Sequence, residues 1–223
     1  MRRSLVSSLV VLLLFLFAEN ARAQSSFVLM TGPVFPTGDF ADDNPWNDRS
    51  GLAGVGIGAG VQYGYQLKGS NLGFFVGANA MYNRTSEDAM NQWAEAYPDV
   101  VTDFSEAINI PVSAGVHYIL KDDKKFPLYG KAGFAVSFFK MTSFNVRQSG
   151  YFKYTEEYDM SDALGYVIGG GVSGNTINIE VNYMALGEHR ITGTWTEGSS
   201  SGPLEEARRR VGMLTVTLGL RLK

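Results

Sequence analysis

The sequence contains no cysteine, so a disulfide-stapled scaffold is excluded. It has only two histidines, His117 and His189, which leaves few candidates for a general base. Beyond the first 23 residues there is no apolar run near the ~20 residues that a helical membrane span needs. There is no basic excess either. Without Arg2, Arg3, Arg22 and Glu19, the remaining 200 residues carry 16 basic and 21 acidic side chains, a net charge near −5. That balance argues against a nucleic-acid partner.

Met1 to Ala23 reads as a secretory signal peptide. Arg2 and Arg3 precede the apolar Leu5 to Phe17, and Ala21-Arg22-Ala23 is a small-x-small cleavage site. The uninterrupted stretch Leu9 to Ala18 is too short to anchor the chain in a bilayer. No cysteine follows it, so a lipoprotein anchor is excluded. The mature domain is expected to run from residue 24 to 223.

What is abundant is glycine, with 26 residues, together with 25 tyrosines and phenylalanines. They fall into a period-2 pattern. At the end of the chain Leu214, Val216, Leu218, Leu220 and Leu222 alternate with Thr215, Thr217, Gly219 and Arg221. That is a β-strand with one apolar face and one small or polar face. Left unpaired it would aggregate, so it must pair on both sides. Seven more segments behave alike: 27–35, 53–67, 72–82, 108–120, 128–138, 164–172 and 177–183. The second is the clearest, with Val55, Ile57, Ala59, Val61, Tyr63 and Tyr65 opposed by Gly54, Gly56, Gly58, Gly60, Gln62 and Gly64.

Connections between these segments alternate in length. Short ones fall near 68–71, 121–126 and 173–175, and long ones at 36–52, 84–106, 143–161 and 187–209. Eight strands with tight turns at one end and long loops at the other predict an all-β, antiparallel, up-and-down transmembrane barrel. A soluble barrel would turn its apolar face inward and charge the other. Here the second face is glycine, asparagine, serine and threonine, with Lys131, Glu180 and Arg221 as its few charges. Small residues suit a narrow lumen, and Val, Ile, Leu and Phe suit lipid. Tyr65, Tyr118 and Tyr129 near the short turns, and Tyr82, Tyr183 and Phe144 toward the long loops, read as two interfacial girdles.

Gly32-Pro33 through Pro36-Thr37-Gly38-Asp39-Phe40, followed by the glycine-alternating second strand, resembles the small outer-membrane β-barrel domain family of Gram-negative bacteria. This family includes the PorT-like and OmpX-like barrels. The end, Thr217-Leu218-Gly219-Leu220-Arg221-Leu222, resembles the family's assembly signal, although it closes on Leu222-Lys223 where the family has an aromatic residue. The resemblance implies an outer-membrane location, with lipids and the outer-membrane assembly machinery as partners.

Lys131, Glu180, Arg221 and His117 project inward on this reading and form a polar network that fills the lumen, leaving no open channel. A lipid-modifying enzyme would need a lipid-facing Ser–His–acid set. His189 beside Glu188 reads as a solvated loop residue that Ser161 or Ser199 would meet only by chance. Asp39, Asp42, Asp43, Asn44 and Asp48 could offer oxygen ligands to calcium, but not at EF-hand spacing. No catalytic, cofactor-binding or metal residue is assigned, and no enzyme activity is expected. Ser86 caps a helix that Pro98 stops, with Met90, Trp93, Ala94 and Tyr97 on one face, set to cover the barrel mouth or lie on the membrane. Tyr151, Phe152, Tyr154, Tyr158 and Trp195 make the later loops aromatic. The expected function is a monomeric barrel with a structural or adhesive role, any extracellular ligand binding at its loops. A lipid-modifying enzyme and a narrow pore are the alternatives.

Overall fold

The computed structural model describes residues 24–47, 49–121, 125–148 and 152–222. The signal-peptide expectation, Asp48, part of the second tight turn (Asp122, Asp123, Lys124) and Tyr151 lie outside the described residues. Eight long strands form the wall: β1 (Gln24–Thr37), β2 (Ala53–Gln66), β3 (Leu72–Thr85), β5 (Ala107–Lys121), β6 (Leu128–Met141), β9 (Ser161–Ser173), β10 (Ile177–Ile191) and β13 (Ala207–Leu222). They close in the order β1-β13-β10-β9-β6-β5-β3-β2, every neighbour antiparallel. The chain-terminal strand does pair on both sides, with Leu218 opposite Thr31 of β1 and Ile179 of β10.

The alternation points as the glycine pattern requires. Leu214, Val216, Leu218, Leu220 and Leu222 are exposed on the outside, while Met213, Thr215 and Gly219 are buried. Nine residues tilted by about 40° rise roughly 20 Å, most of the ~25 Å apolar band of such barrels. In water this continuous belt would be an aggregation surface. Against hydrocarbon it is the ordinary solvent-facing side. Inside, strands approach closely enough to demand glycine. A Cβ on Gly115 would lie 2.1 Å from the Ala132 carbonyl oxygen.

The long connections hold more regular structure than their composition announces. Five further strands, β4 (Val100–Asp103), β7 (Phe144–Gln148), β8 (Phe152–Tyr158), β11 (Gly193–Glu197) and β12 (Ser200–Pro203), pair as β12-β11-β8-β7-β4. Four of them continue β10, β9, β6 and β5 in the same order, so one side of the wall rises past the membrane. These short strands bury only scattered side chains such as Phe144 and Tyr158 and carry no sustained apolar period, so residues 143–161 and 187–209 read as irregular loops. Helix α1 (Glu87–Ala96) forms where Ser86 and Pro98 predict it, and the Ser86 hydroxyl accepts from the Ala89 N–H at 3.1 Å.

A second correction concerns the interior. It is not uniformly small and polar. Toward the long-loop end, inward side chains form an apolar plug that includes Val34, Met81, Phe139, Met184, Leu186 and Met213. Phe40, on a 3-10 turn (Gly38–Ala41), drops into it and meets Phe139 edge-on at 5.9 Å. Flexible methionines fit the irregular space that a closed sheet leaves.

Candidate functional site

The short-turn half of the lumen holds the ionic centre. Lys131 of β6 and Glu180 of β10 reach each other past β9, their side chains 4% and 0% exposed, with Nζ 2.5 Å from Oε1. A buried ion pair persists only when its remaining valences are used. Here Lys131 also donates to Gln62 Oε1 at 2.8 Å and lies 4.9 Å over the Phe75 ring. Glu180 accepts from Tyr129 Oη at 2.5 Å and from Asn182 Nδ2 at 2.6 Å. Tyr129 is therefore not part of an aromatic girdle. It shares the inward parity of Lys131 and Gly133, and its hydroxyl replaces a water on the carboxylate.

The four inward residues do not form one network. His117 stands opposite Lys131 across β5 and β6 and its ring meets Tyr129 edge-on at 6.4 Å, but its hydrogen bond goes to Gln66 Oε1 at 2.8 Å. Arg221 is half-buried, with its Nε lacking a hydrogen-bond partner. Between the ionic centre and the apolar plug lies a cavity of about 10 Å³ lined by Met30, Asn79, Met81, Glu180, Asn182 and Thr217. It has room for about one water.

His189 is buried, contrary to the expectation of a solvated loop residue. The β10–β13 register shifts between Ala185 and Glu188 at Gly187, whose φ of +89° is a glycine conformation. This bulge reverses parity. Glu188 and Arg190 turn out, and His189 and Ile191 turn in. A glycine inside a strand pattern is the signal that could have found it. His189 Nε2 lies 3.2 Å from Ser137 Oγ and Nδ1 lies 3.0 Å from Ser161 Oγ, so Ser161 does approach it. Ser137 donates to Asn109 Oδ1 at 2.8 Å. Ser137, Asn109 and His189 are all buried away from lipid. Ser199 is in the exposed turn between β11 and β12.

Two of the calcium candidates, Asp42 and Asn44, are engaged within the loop. Asp42 accepts from the Asn44 N–H at 3.1 Å and from Asn47 Nδ2 at 2.5 Å, and Asn44 accepts from the Trp46 N–H at 3.0 Å. These consecutive turns stiffen loop 1 (residues 38–52) and present Trp46. Among the described residues no three His, Asp or Glu converge as a metal group.

Outside the membrane the aromatic residues converge on Trp93 of α1. It stacks on Trp46 at 5.7 Å, meets Tyr97 at 4.8 Å, and stands edge-on to Phe104 at 6.3 Å and Phe144 at 6.0 Å. Its indole N–H donates to Thr102 of β4 at 3.0 Å. Helix α1 is thus fixed between loop 1 and the tall sheet. Phe144 belongs to this cluster and not to a girdle.

On the same sheet Glu156 accepts from Tyr154 Oη at 2.8 Å and from Tyr158 Oη. Burial and this carboxylate push the Tyr154 phenol up to about 12, and raise Tyr158 for the same two reasons. A folded pKa above the ordinary 10.0 means that the tyrosine contribution to stability is whole below that value. It is lost as pH rises through the folded pKa, about 12 for Tyr154. In an alkaline titration followed by phenolate absorbance, the late-ionising fraction of wild type should be smaller by two tyrosines in a Tyr154→Phe/Tyr158→Phe variant. Identical curves would contradict the Glu156 geometry.

Comparisons with known proteins agree with this architecture. No curated protein matches the chain. Among solved structures, a major outer membrane protein from Thermus thermophilus is 13% identical, with 89% of this chain and 100% of that one covered and a TM-score of 0.50. Ail, the attachment invasion locus protein of Yersinia pestis, is 13% identical, with coverages of 89% and 97% and a TM-score of 0.43. Neisserial surface protein A is 14% identical, with coverages of 90% and 99% and a TM-score of 0.41. The family model for the outer membrane protein beta-barrel domain matches residues 8–196. A closed eight-stranded wall, an outward apolar belt and that match together place the chain in the outer membrane protein β-barrel domain family, as a protein of the bacterial outer membrane.

Proposed function

We propose that this barrel is a non-conducting, non-enzymatic monomer that recognises other surfaces through its extracellular sheet, α1 and loop 1. The observation that carries this reading is the rigid aromatic cluster beyond the membrane, with Trp46 and Tyr97 left 54% and 42% exposed. Exposed aromatics held on a stiff scaffold are the usual anchors of recognition surfaces.

The interior supports the rest. A plug that includes Val34 and Met213, above the buried Lys131–Glu180 pair, supports a lumen closed to solutes. A buried histidine between two serines, with no carboxylate bonded to it, offers no lipid-facing nucleophile. The assembly machinery would insert the barrel through its last strand, and lipids surround the belt.

Display on a non-adherent bacterium tests this reading. Cells carrying the wild-type barrel should attach to cultured host cells or to other bacteria. Cells carrying a barrel with residues 86–103 and 143–160 replaced by short glycine–serine links should not. Proteoliposomes of the wild type should swell in small sugars no faster than empty ones. Equal attachment by both strains, or porin-like swelling, would contradict the proposal.

A further inference from the structure

The Trp46–Trp93 stack joins two segments of unusual charge. Residues 38–52 hold four acids and one base, and residues 86–103 hold five acids and no base. Their joint net charge of −8 exceeds the −5 of residues 24–223, so the rest of the mature chain is net positive. The acids do not neutralise each other, and among the described residues of these segments only Asp103 has an ion pair, with Arg147 at 3.3 Å. At the centre of this field lie the outer face of Trp46 and the ring of Tyr97, both open to water.

Aromatic faces attract cations through their quadrupole, guanidinium more than ammonium, and nearby carboxylates strengthen the attraction. The field repels lipid phosphates and other anions. A neutral glycan could stack on Trp46 but would gain nothing from the charge. Resting on the recognition reading above, we propose that loop 1 and α1 form a docking surface for an arginine- or lysine-rich polypeptide segment of a partner protein. One cationic side chain seats on Trp46 and Tyr97, and its neighbours face acids such as Asp43, Glu95 and Asp99.

The surface is pre-organised. Loop 1 is held by the Asp42 and Asn44 turns, and α1 by the Trp93–Thr102 hydrogen bond. Little ordering remains to be done on binding. Trp46 and Tyr97 lie outside the barrel wall, so substitutions there leave the wall intact, and Trp46→Phe keeps a ring against Trp93.

The test uses the whole barrel in nanodiscs of zwitterionic lipid and a fluorescent deca-arginine peptide. Binding is expected, weakening at least tenfold when salt is raised from low to several times physiological strength. Trp46→Ala should weaken it about tenfold and Trp46→Phe only about twofold. Asp43→Asn/Glu95→Gln/Asp99→Asn should also weaken it about tenfold. Glu157→Gln/Glu197→Gln/Glu205→Gln, which removes the same charge elsewhere, should stay within about twofold of wild type. Equal losses in both triple variants would mean net-charge attraction only and would overturn the proposal. So would an unchanged Trp46→Ala, salt-insensitive binding, or competition by a neutral oligosaccharide. Displayed cells separate the two readings. Attachment that needs the loops but survives Trp46→Ala sinks this surface and keeps the recognition role. Peptide binding without loop-dependent attachment does the reverse.

Discussion

Glu180→Ala is expected to destabilise the barrel by about 3–5 kcal/mol, the usual cost of leaving a buried charge without its partner. The alanine would strand Lys131, whose side chain is 4% exposed, with only the neutral Gln62 oxygen and the Phe75 face. Tyr129 and Asn182 would lose their acceptor at the same time. The urea midpoint of reversible unfolding in detergent micelles reads the loss. The double variant Lys131→Met/Glu180→Gln removes both charges and keeps an acceptor for Tyr129. It should recover most of the stability, because a charge-free interior of similar volume carries no ionic desolvation penalty. A single variant within about 1 kcal/mol of wild type would mean that water reaches the pair, and the lumen would not be closed at that level.

The second large effect separates the two faces of the wall. Leu186 is fully buried inside and Leu218 is 58% exposed outside. Leu186→Ala should cost about 2–5 kcal/mol, since a packed plug cannot close over the space left behind. Leu218→Ala should cost far less, because fluid lipid chains fill the gap and no cavity term arises. Leu218→Arg should cost about 2–4 kcal/mol, for Leu218 is the middle of the five outward positions and lies near the bilayer centre. Leu222→Arg, at the end of the belt, should cost about 0–1 kcal/mol. Equal costs for the two alanine variants would remove the distinction between plug and belt.

Much of this is legible in the residues. A period of two cannot hide where one face meets hydrocarbon and the other a crowded lumen, so all eight wall strands are visible in sequence. The Ser86 cap and the Pro98 stop are local signals and hold locally. The misreadings share a cause, in that each depends on a neighbour the local pattern does not name. Tyr129 reads by residue type as an interfacial tyrosine, although its parity with Lys131 turns it inward. Phe139, Met184 and Met213 lie on inward positions of their strands, yet the glycine-rich half of the pattern masks them. His189 reads as a loop residue because one bulge at Gly187 reverses every later position on β10. The tall sheet is invisible because its strands of four to seven residues bury only isolated side chains and carry no sustained hydrophobic period. The Trp46–Trp93 contact joins residues 47 positions apart, and no spacing within either segment encodes it.

The absence of cysteine makes one measurement direct. Single cysteines placed in turn at positions 214 to 222, spin-labelled in nanodiscs, report their access to oxygen, which concentrates in hydrocarbon, and to a water-soluble nickel chelate. High oxygen access at 214, 216, 218, 220 and 222, with low access to both reagents at 215, 217 and 219, is the predicted result. Chelate access at the leucine positions, or oxygen access with no alternation, would contradict a barrel that turns its leucines to lipid.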